Sequence, residues 1–327
     1  MAPLLDVRNL VTEFPHGRGG HPLRAVNDVS FSLSRGRVLG LVGESGSGKS
    51  VTGFTIMGLV ERPGRVASGQ ILFDGTDLAR LSPEEMRRWR GSRIAMVFQD
   101  PMMTLNPVLR IETQMVETVL AHRSMSHAEA RAHARDALGK VGIPSPEERL
   151  SAYPHQFSGG MRQRVVIAIA LLNSPDLIIA DEPTTALDVT IQAQIISEFQ
   201  RLAEENNTAV IWITHDLAIV SRLADDIAVM YAGRIVEKGS VSAVLGTPRH
   251  PYTRGLMNSV PSQNERRKRL LQIPGMTPSL ANLPEGCSFR SRCTHADGMC
   301  LQMPKLGEGP EGHGFRCFHP LEEGSVR

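Results

Sequence analysis

The stretch Gly43-Glu44-Ser45-Gly46-Ser47-Gly48-Lys49-Ser50 constrains this 327-residue chain more than any other. It follows a run with the character of a buried strand, Val38-Leu39-Gly40-Leu41-Val42, and precedes a helix-like segment from Val51 to Val60. Glycines at 43, 46 and 48 let the backbone wrap close to an anion with its N–H groups turned inward. The following helix offers the positive end of its dipole to the same place. Lys49 is then placed to reach the β and γ phosphates of a nucleotide, and the Ser50 hydroxyl suits Mg2+. Only five of the 36 basic residues are lysine, and Lys49 is the first of them. A compact ammonium fits inside a tight loop where a planar guanidinium does not. A plain glycine-rich turn is the bland alternative.

The surrounding pattern is α/β. Residues 5–80 alternate apolar and polar positions, as in Val26-Asn27-Asp28-Val29-Ser30-Phe31-Ser32-Leu33, which predicts antiparallel strands with one buried face. Ser82-Pro83-Glu84-Glu85 and Ser126-His127-Ala128-Glu129 both read as capped helix starts, the second opening an alanine-rich helix to about Val141. Leu177-Ile178-Ile179-Ala180 and Ala209-Val210-Ile211-Trp212-Ile213-Thr214 read as buried strands. Strands interleaved with helices predict a largely parallel sheet that holds ligands at its strand C-termini. Beyond Gly246 prolines recur, and a basic run, Arg266-Arg267-Lys268-Arg269, precedes the cysteines. These shifts predict one domain over 1–245 and a small appended domain over 246–327. The basic run reads as solvated surface, with contact to anionic lipid as the alternative.

Thirty-six lysines and arginines against 34 acids leave a net charge of +2, which disfavours gripping nucleic acid with the whole chain. The longest apolar run is the eight residues Val165–Leu172, far short of the roughly 18 a membrane helix needs. The first residues lack the basic region and long apolar stretch of a secretory signal, so the chain is expected in the cytoplasm, free or docked onto a membrane protein.

Two further motifs carry chemistry. Asp181 and Glu182 end the strand Leu177–Ala180, where Asp181 suits a Mg2+ ligand and Glu182 a general base for the attacking water. Ser158-Gly159-Gly160 heads a long helix, a second anion-binding helix N-terminus in the same chain. One nucleotide does not need two such cradles from one subunit.

Taken in order, these motifs resemble the ATP-binding subunits of ABC transporters over roughly residues 5–245. The resemblance implies a P-loop NTPase (RecA-like) core with an antiparallel β subdomain and a helical subdomain at about 100–165. Gly43–Ser50 is similar to the Walker A loop, so Gly43, Glu44, Ser45, Gly46, Ser47, Gly48, Lys49, Ser50 and Val51 are implied nucleotide contacts. Gln99 matches the Q-loop, with a part in holding Mg2+, Asp181 and Glu182 match Walker B, and His215 matches the switch histidine. Ala186-Leu187-Asp188 matches the D-loop. Ser158-Gly159-Gly160-Met161 looks like the signature motif, with Met161 in place of the common glutamine and Phe157 in place of the leading leucine. Phe14 sits where an aromatic stacks on adenine, although a tyrosine is commoner there and core packing is the alternative. In this family two subunits close head to tail, each nucleotide lying between one Walker A loop and the other subunit's signature turn, which explains the two cradles.

The four cysteines all lie in the last 41 residues, as Cys287-x5-Cys293-x6-Cys300-x16-Cys317. That spacing predicts a four-thiolate site without naming the metal, and His295, His313 and His319 compete as ligands. Gln99-Asp100-Pro101-Met102-Met103-Thr104-Leu105-Asn106-Pro107, His250-Pro251-Tyr252-Thr253 and the cysteine tail look like the ATPase subunits of dipeptide and oligopeptide importers. This narrower resemblance implies a [4Fe–4S] cluster on the four cysteines, with zinc or unliganded or disulfide-bonded thiols as alternatives. It also implies ATP with Mg2+, a second ATP-binding subunit, two membrane-embedded permease subunits docked around Gln99–Asn106, and an extracytoplasmic peptide-binding protein. The expected place is the cytoplasmic face of the inner membrane, without nucleic acid. A soluble ABC ATPase acting on nucleic acid or ribosomes and an iron or redox sensor are the competing readings. The long arms, large insertions or paired cassettes typical of the former are not visible in the sequence.

Overall fold

The computed structural model describes residues 2–17, 20–185, 187–259, 272–309 and 312–322, so Ala186 and the basic run 266–269 lie outside the described residues. The chain forms two compact units, one from residues 1–34, 38–80 and 212–327, the other from 35–37 and 81–211.

The first unit begins with β1 (Leu5–Phe14), β2 (Leu23–Leu33), β3 (Val38–Val42), α1 (Lys49–Ile56), β4 (Arg65–Phe73) and β5 (Thr76–Asp77). As the alternation predicts, β1 lies between β2 and β4 in an antiparallel sheet of order β2-β1-β4-β5. Val7 faces Phe31 on one side and Ile71 on the other, and all three are buried. The register slips next to Asn9, whose φ is 46°, and Leu10 is buried beyond it. The helix after the loop runs over Lys49–Ile56, not to Val60. Gly58 stops it: with φ 61° it lets its own N–H reach the Thr55 carbonyl and the Leu59 N–H the Phe54 carbonyl, closing the last turn.

The second unit holds α2 (Pro83–Trp89), β6 (Ile94–Val97), α3 (Pro101–Thr104), α4 (Ile111–Leu120), α5 (His127–Lys140), α6 (Pro146–Leu150), α7 (Gly159–Leu171), β7 (Leu177–Asp181) and α8 (Val189–Glu205). Both forecast capping boxes form, Ser82 with Glu85 and Ser126 with Glu129. Strands β6 and β7 run parallel, and every residue of both is buried. Asp176 ties the segment before β7 to Arg35 and Arg93. The chain returns to the first unit along β8 (Ala209–Thr214).

There it forms α9 (Leu217–Leu223), β9 (Asp226–Tyr231), β10 (Arg234–Ser240), α10 (Val241–Gly246), α11 (Pro251–Asn258), β11 (Gly307–Glu308) and β12 (Gly314–Phe315). Strand β9 pairs parallel with β3, as a parallel sheet requires. Strands β10, β12 and β11 then add antiparallel, an edge the sequence pattern did not forecast. The turn between β9 and β10 is the two-residue Ala232-Gly233, both with positive φ, which fits the right-handed twist of a tight hairpin.

The described residues beyond 246 pack within the first unit. Tyr252 and Phe289 meet Tyr231 of β9 edge to face. The Glu237 carboxylate is fully buried in β10 and accepts from the Arg249 and His250 N–H groups at 2.6 and 2.9 Å, with His313 Nε2 at 2.7 Å. Arg316 donates to the Ile235 carbonyl at 2.9 Å and to the Asp28 carboxylate at 2.7 Å. Burying a carboxylate this deeply is tolerable only with such a full set of donors. Glu237→Ala is therefore expected to cost about 3 kcal/mol by orphaning buried donors. The check is a lowered denaturation midpoint together with faster proteolysis beyond residue 246; parental values for both would refute it.

Candidate nucleotide and cysteine sites

The loop from Gly43 to Ser50 lies against the backbones of β2 and β9. A Cβ at Gly43 would stand 2.2 Å from the Met230 carbonyl oxygen, and one at Gly48 2.3 Å from that of Ala25. Gly43, Gly46 and Gly48 have φ of 155°, 77° and 101°, as a loop turning its N–H groups inward requires. Gly48 is the N-cap of α1 and leaves that helix without a side-chain cap. The buried Lys49 donates from Nζ to the Gly43 and Glu44 carbonyls at 2.7 and 2.9 Å, and Ser47 is fully buried beside it. The hairpin turn contributes support that no sequence motif announced. Gly233 donates to the Ser47 carbonyl at 2.9 Å and accepts from the Asn27 N–H at 2.7 Å. Val51 is half-buried on α1. Phe14, at the end of β1, is half-buried, with a Cβ at Gly64 only 2.4 Å from its ring edge. His215 is exposed just after β8 in the same unit.

The second unit gathers another set. Asp181 is buried at the end of β7. Glu182 follows with φ 45°, a conformation uncommon for a non-glycine residue. Its carboxylate accepts from the Thr185 hydroxyl at 3.0 Å, and the Gln99 side-chain amide lies 3.4 Å away. Ser158 caps α7 by accepting from the Met161 N–H, and Asp188 caps α8 by accepting from the Ile191 N–H. Gly160 cannot gain a side chain cheaply, since a Cβ would stand 2.8 Å from the Ile191 side chain.

All four cysteines line one small cavity, beside Phe289, His295 and His319. The thiols are unpaired with one another. Backbone N–H groups aim at their sulfurs: Phe289 and Arg290 at Cys287, His295 at Cys293, and His319 at Cys317, the last at 3.3 Å. Burial pushes the Cys317 thiol up to about 12, with the other three cysteines adding to the rise. Burial likewise raises Cys287 and Cys293. Thiols this buried become thiolates only against compensating positive charge, of the kind a bound metal would supply. Of the three histidines in competition, His313 is taken by Glu237, while His319 reaches Asp297 at 3.0 Å beside Cys300.

Residues 26–185 match the family model described as ABC transporter, and residues 236–300 match the oligopeptide/dipeptide transporter C-terminal region. Over 320 residues the chain is 48% identical to the oligopeptide transport ATP-binding protein OppD of Escherichia coli, covering 98% of this chain and 94% of that protein. The chain belongs to the ATP-binding subunits of ABC transporters. The dipeptide transport ATP-binding protein DppD of Bacillus subtilis is 49% identical over 320 residues, 97% of this chain and 95% of that protein. A solved dimeric ATP-binding cassette in a post-hydrolysis state bound to ADP and Pi superposes with a TM-score of 0.65 at 27% identity, covering 72% of this chain and 98% of that one. This ABC subunit accordingly has the P-loop NTPase fold and is an ATPase coupled to transport. Among its described residues no helix is long and apolar enough to cross a membrane.

Gly48→Ala tests the loop of this ABC subunit, since the new methyl meets the Ala25 carbonyl oxygen in a backbone conformation that only glycine tolerates well. The expected result is about 1–3 kcal/mol of lost stability and at least about tenfold weaker nucleotide binding. Thermal melts with and without nucleotide provide the measurement, and melts matching the parent under both conditions would contradict it.

Proposed function

We propose that this chain is the ATP-hydrolysing subunit of an importer that takes up dipeptides or oligopeptides across the cytoplasmic membrane. The observation that carries this reading is similarity to OppD and DppD proteins along 97–98% of the chain, through the C-terminal region as well as the cassette. Two permease subunits and a second ATP-binding subunit are its partners, and an extracytoplasmic binding protein delivers the peptide to the permease. Its place is the cytoplasmic face of the membrane, held by docking through the surface around Gln99–Asn106. Met103 and Val108 are exposed apolar side chains on or beside that surface, as a protein-docking patch requires.

Lys49 and the loop amides bind the phosphates, and Phe14 stacks on the adenine. By the sequence resemblance, Ser50, Asp181 and Gln99 would be the groups that hold Mg2+, which would supply neutralising charge to the phosphates. Glu182 accepts a proton from the attacking water, and Gln99 and His215 sense the γ-phosphate. Ser158, Gly159 and Gly160, together with Asp188, serve the nucleotide held by the neighbouring subunit. The helix N-terminus at Ser158 has the polarity this role needs. Glu182→Gln keeps the cradle and removes the base, so it should bind ATP, hydrolyse it about 100-fold or more slowly, and accumulate as a closed dimer. Near-normal turnover in single-turnover kinetics would take Glu182 out of that role. The importer reading itself is tested by gentle solubilisation: permease subunits should co-purify, whereas retained nucleic acid in their place would contradict it.

Cys287, Cys293, Cys300 and Cys317 are the ligands we assign to a [4Fe–4S] cluster that pins a segment with little core of its own. The cavity that all four cysteines line, and the backbone N–H donated to the Cys317 sulfur, support a cluster. The smaller Asp297, Cys300 and His319 group, with ligand atoms within 4.8 Å of one another, would favour zinc instead. Purified without air, the protein should be brown, with broad absorption near about 400 nm. A colourless preparation carrying one zinc per chain would decide for the second arrangement.

A further inference from the structure

Glu44 is the second residue of the phosphate loop, and each of its polar groups is engaged within the protein. Its N–H donates to the Tyr252 hydroxyl at 2.9 Å, and its carbonyl accepts from Lys49 Nζ at 2.9 Å and from the Ser47 N–H at 3.2 Å. Its carboxylate is gripped from both sides by the Arg292 guanidinium, at 2.6 Å to Oε2 and 3.0 Å to Oε1, and accepts from the Thr277 hydroxyl at 2.7 Å. Forked pairs of this kind fix orientation as well as supplying energy.

Arg292 is itself immobilised. Its side chain is 5% exposed, its Nε donates to the Pro274 carbonyl at 2.9 Å, and a terminal nitrogen reaches the Gly275 carbonyl at 3.3 Å. The guanidinium lies over the Tyr231 ring, 5.8 Å from its centroid. Burial pulls the Glu44 carboxyl upward, but the Arg292 and Thr277 hydrogen bonds and the charges of Arg292 and Lys49 outweigh it, so the group stays ionised. Arg292 immediately precedes Cys293, in the short turn Arg290–Arg292.

We propose that Arg292 is a positioning residue of the ATP site: by clamping Glu44 it sets the backbone that carries the loop amides and the carbonyls that hold Lys49. This rests on the loop binding ATP, as proposed above. The clamp reaches from the cysteine-bearing segment across a sequence separation of 248 residues. The nucleotide loop is thus set by the last part of the chain, and Arg292 acts on ATP through Glu44 without touching the reacting atoms.

The test is equilibrium binding of a fluorescent ATP analogue to the full chain, with kcat and KM for ATP measured in the assembled transporter. Arg292→Met should weaken binding about tenfold and raise KM more than it lowers kcat. Glu44→Gln removes the other half without disturbing the cysteine segment and should do the same, which covers poor folding of the first variant. The double variant should bind no worse than either single one, because one interaction is lost once. Arg292→Lys, which keeps the charge but not the fork, should recover part of the affinity. Unchanged binding in Arg292→Met and Glu44→Gln, or effects that multiply in the double variant, would overturn the proposal. Lys49→Ala separates the two levels. If it binds the analogue normally, the loop is not the ATP site and both readings fall; if it loses binding while the Arg292 and Glu44 variants keep theirs, only the clamp falls.

Discussion

The close approach of one loop to two strand backbones governs the first unit. Gly43 and Gly48 bring the loop so near to β9 and β2 that the space for a side chain is already filled by carbonyl oxygens. That contact fixes which way the loop amides point, and it depends on the Ala232-Gly233 hairpin, whose backbone bonds both to the loop and to β2. Anion binding by backbone amides works only if those amides are held before the anion arrives, since ordering them on binding would offset much of the gain. The packing of β2, β9 and the hairpin does that work from beneath, and the Glu44 contacts do it from the side.

The C-terminal extension is bound into the same unit by ordinary forces. Its aromatic residues pack on Tyr231, its backbone satisfies the buried Glu237, and Arg316 reaches back to Asp28. A segment with few apolar residues of its own gains order from polar contacts to an existing sheet.

Much of this was legible in the sequence because it is local. The glycine loop, the two capping boxes and the strands β3, β7 and β8 are patterns within a dozen residues, and the structure forms each of them. The helix end was misplaced by four residues because the left-handed Gly58 outweighed the helical character of the residues beyond it. The antiparallel edge of β10, β12 and β11 was missed because the latter two strands are two residues long and carry no periodicity. Arg292 was invisible for a different reason: one arginine in an arginine-rich chain has no local mark, and its partner lies at the far end of the sequence. His313 and His319 looked alike on paper, and only the neighbourhood of Glu237 separates them.

The discontinuous make-up of the first unit has a consequence for how the protein is born. Its opening sheet leaves the ribosome early, yet Asp28 must wait for Arg316, 288 residues later. Residues 81–211 emerge in between, on the order of ten seconds of translation at roughly 5–20 residues per second. The nascent N-terminal strands therefore stand unfinished while a contiguous middle portion is free to fold, and the split unit can close fully only once the last residues have emerged.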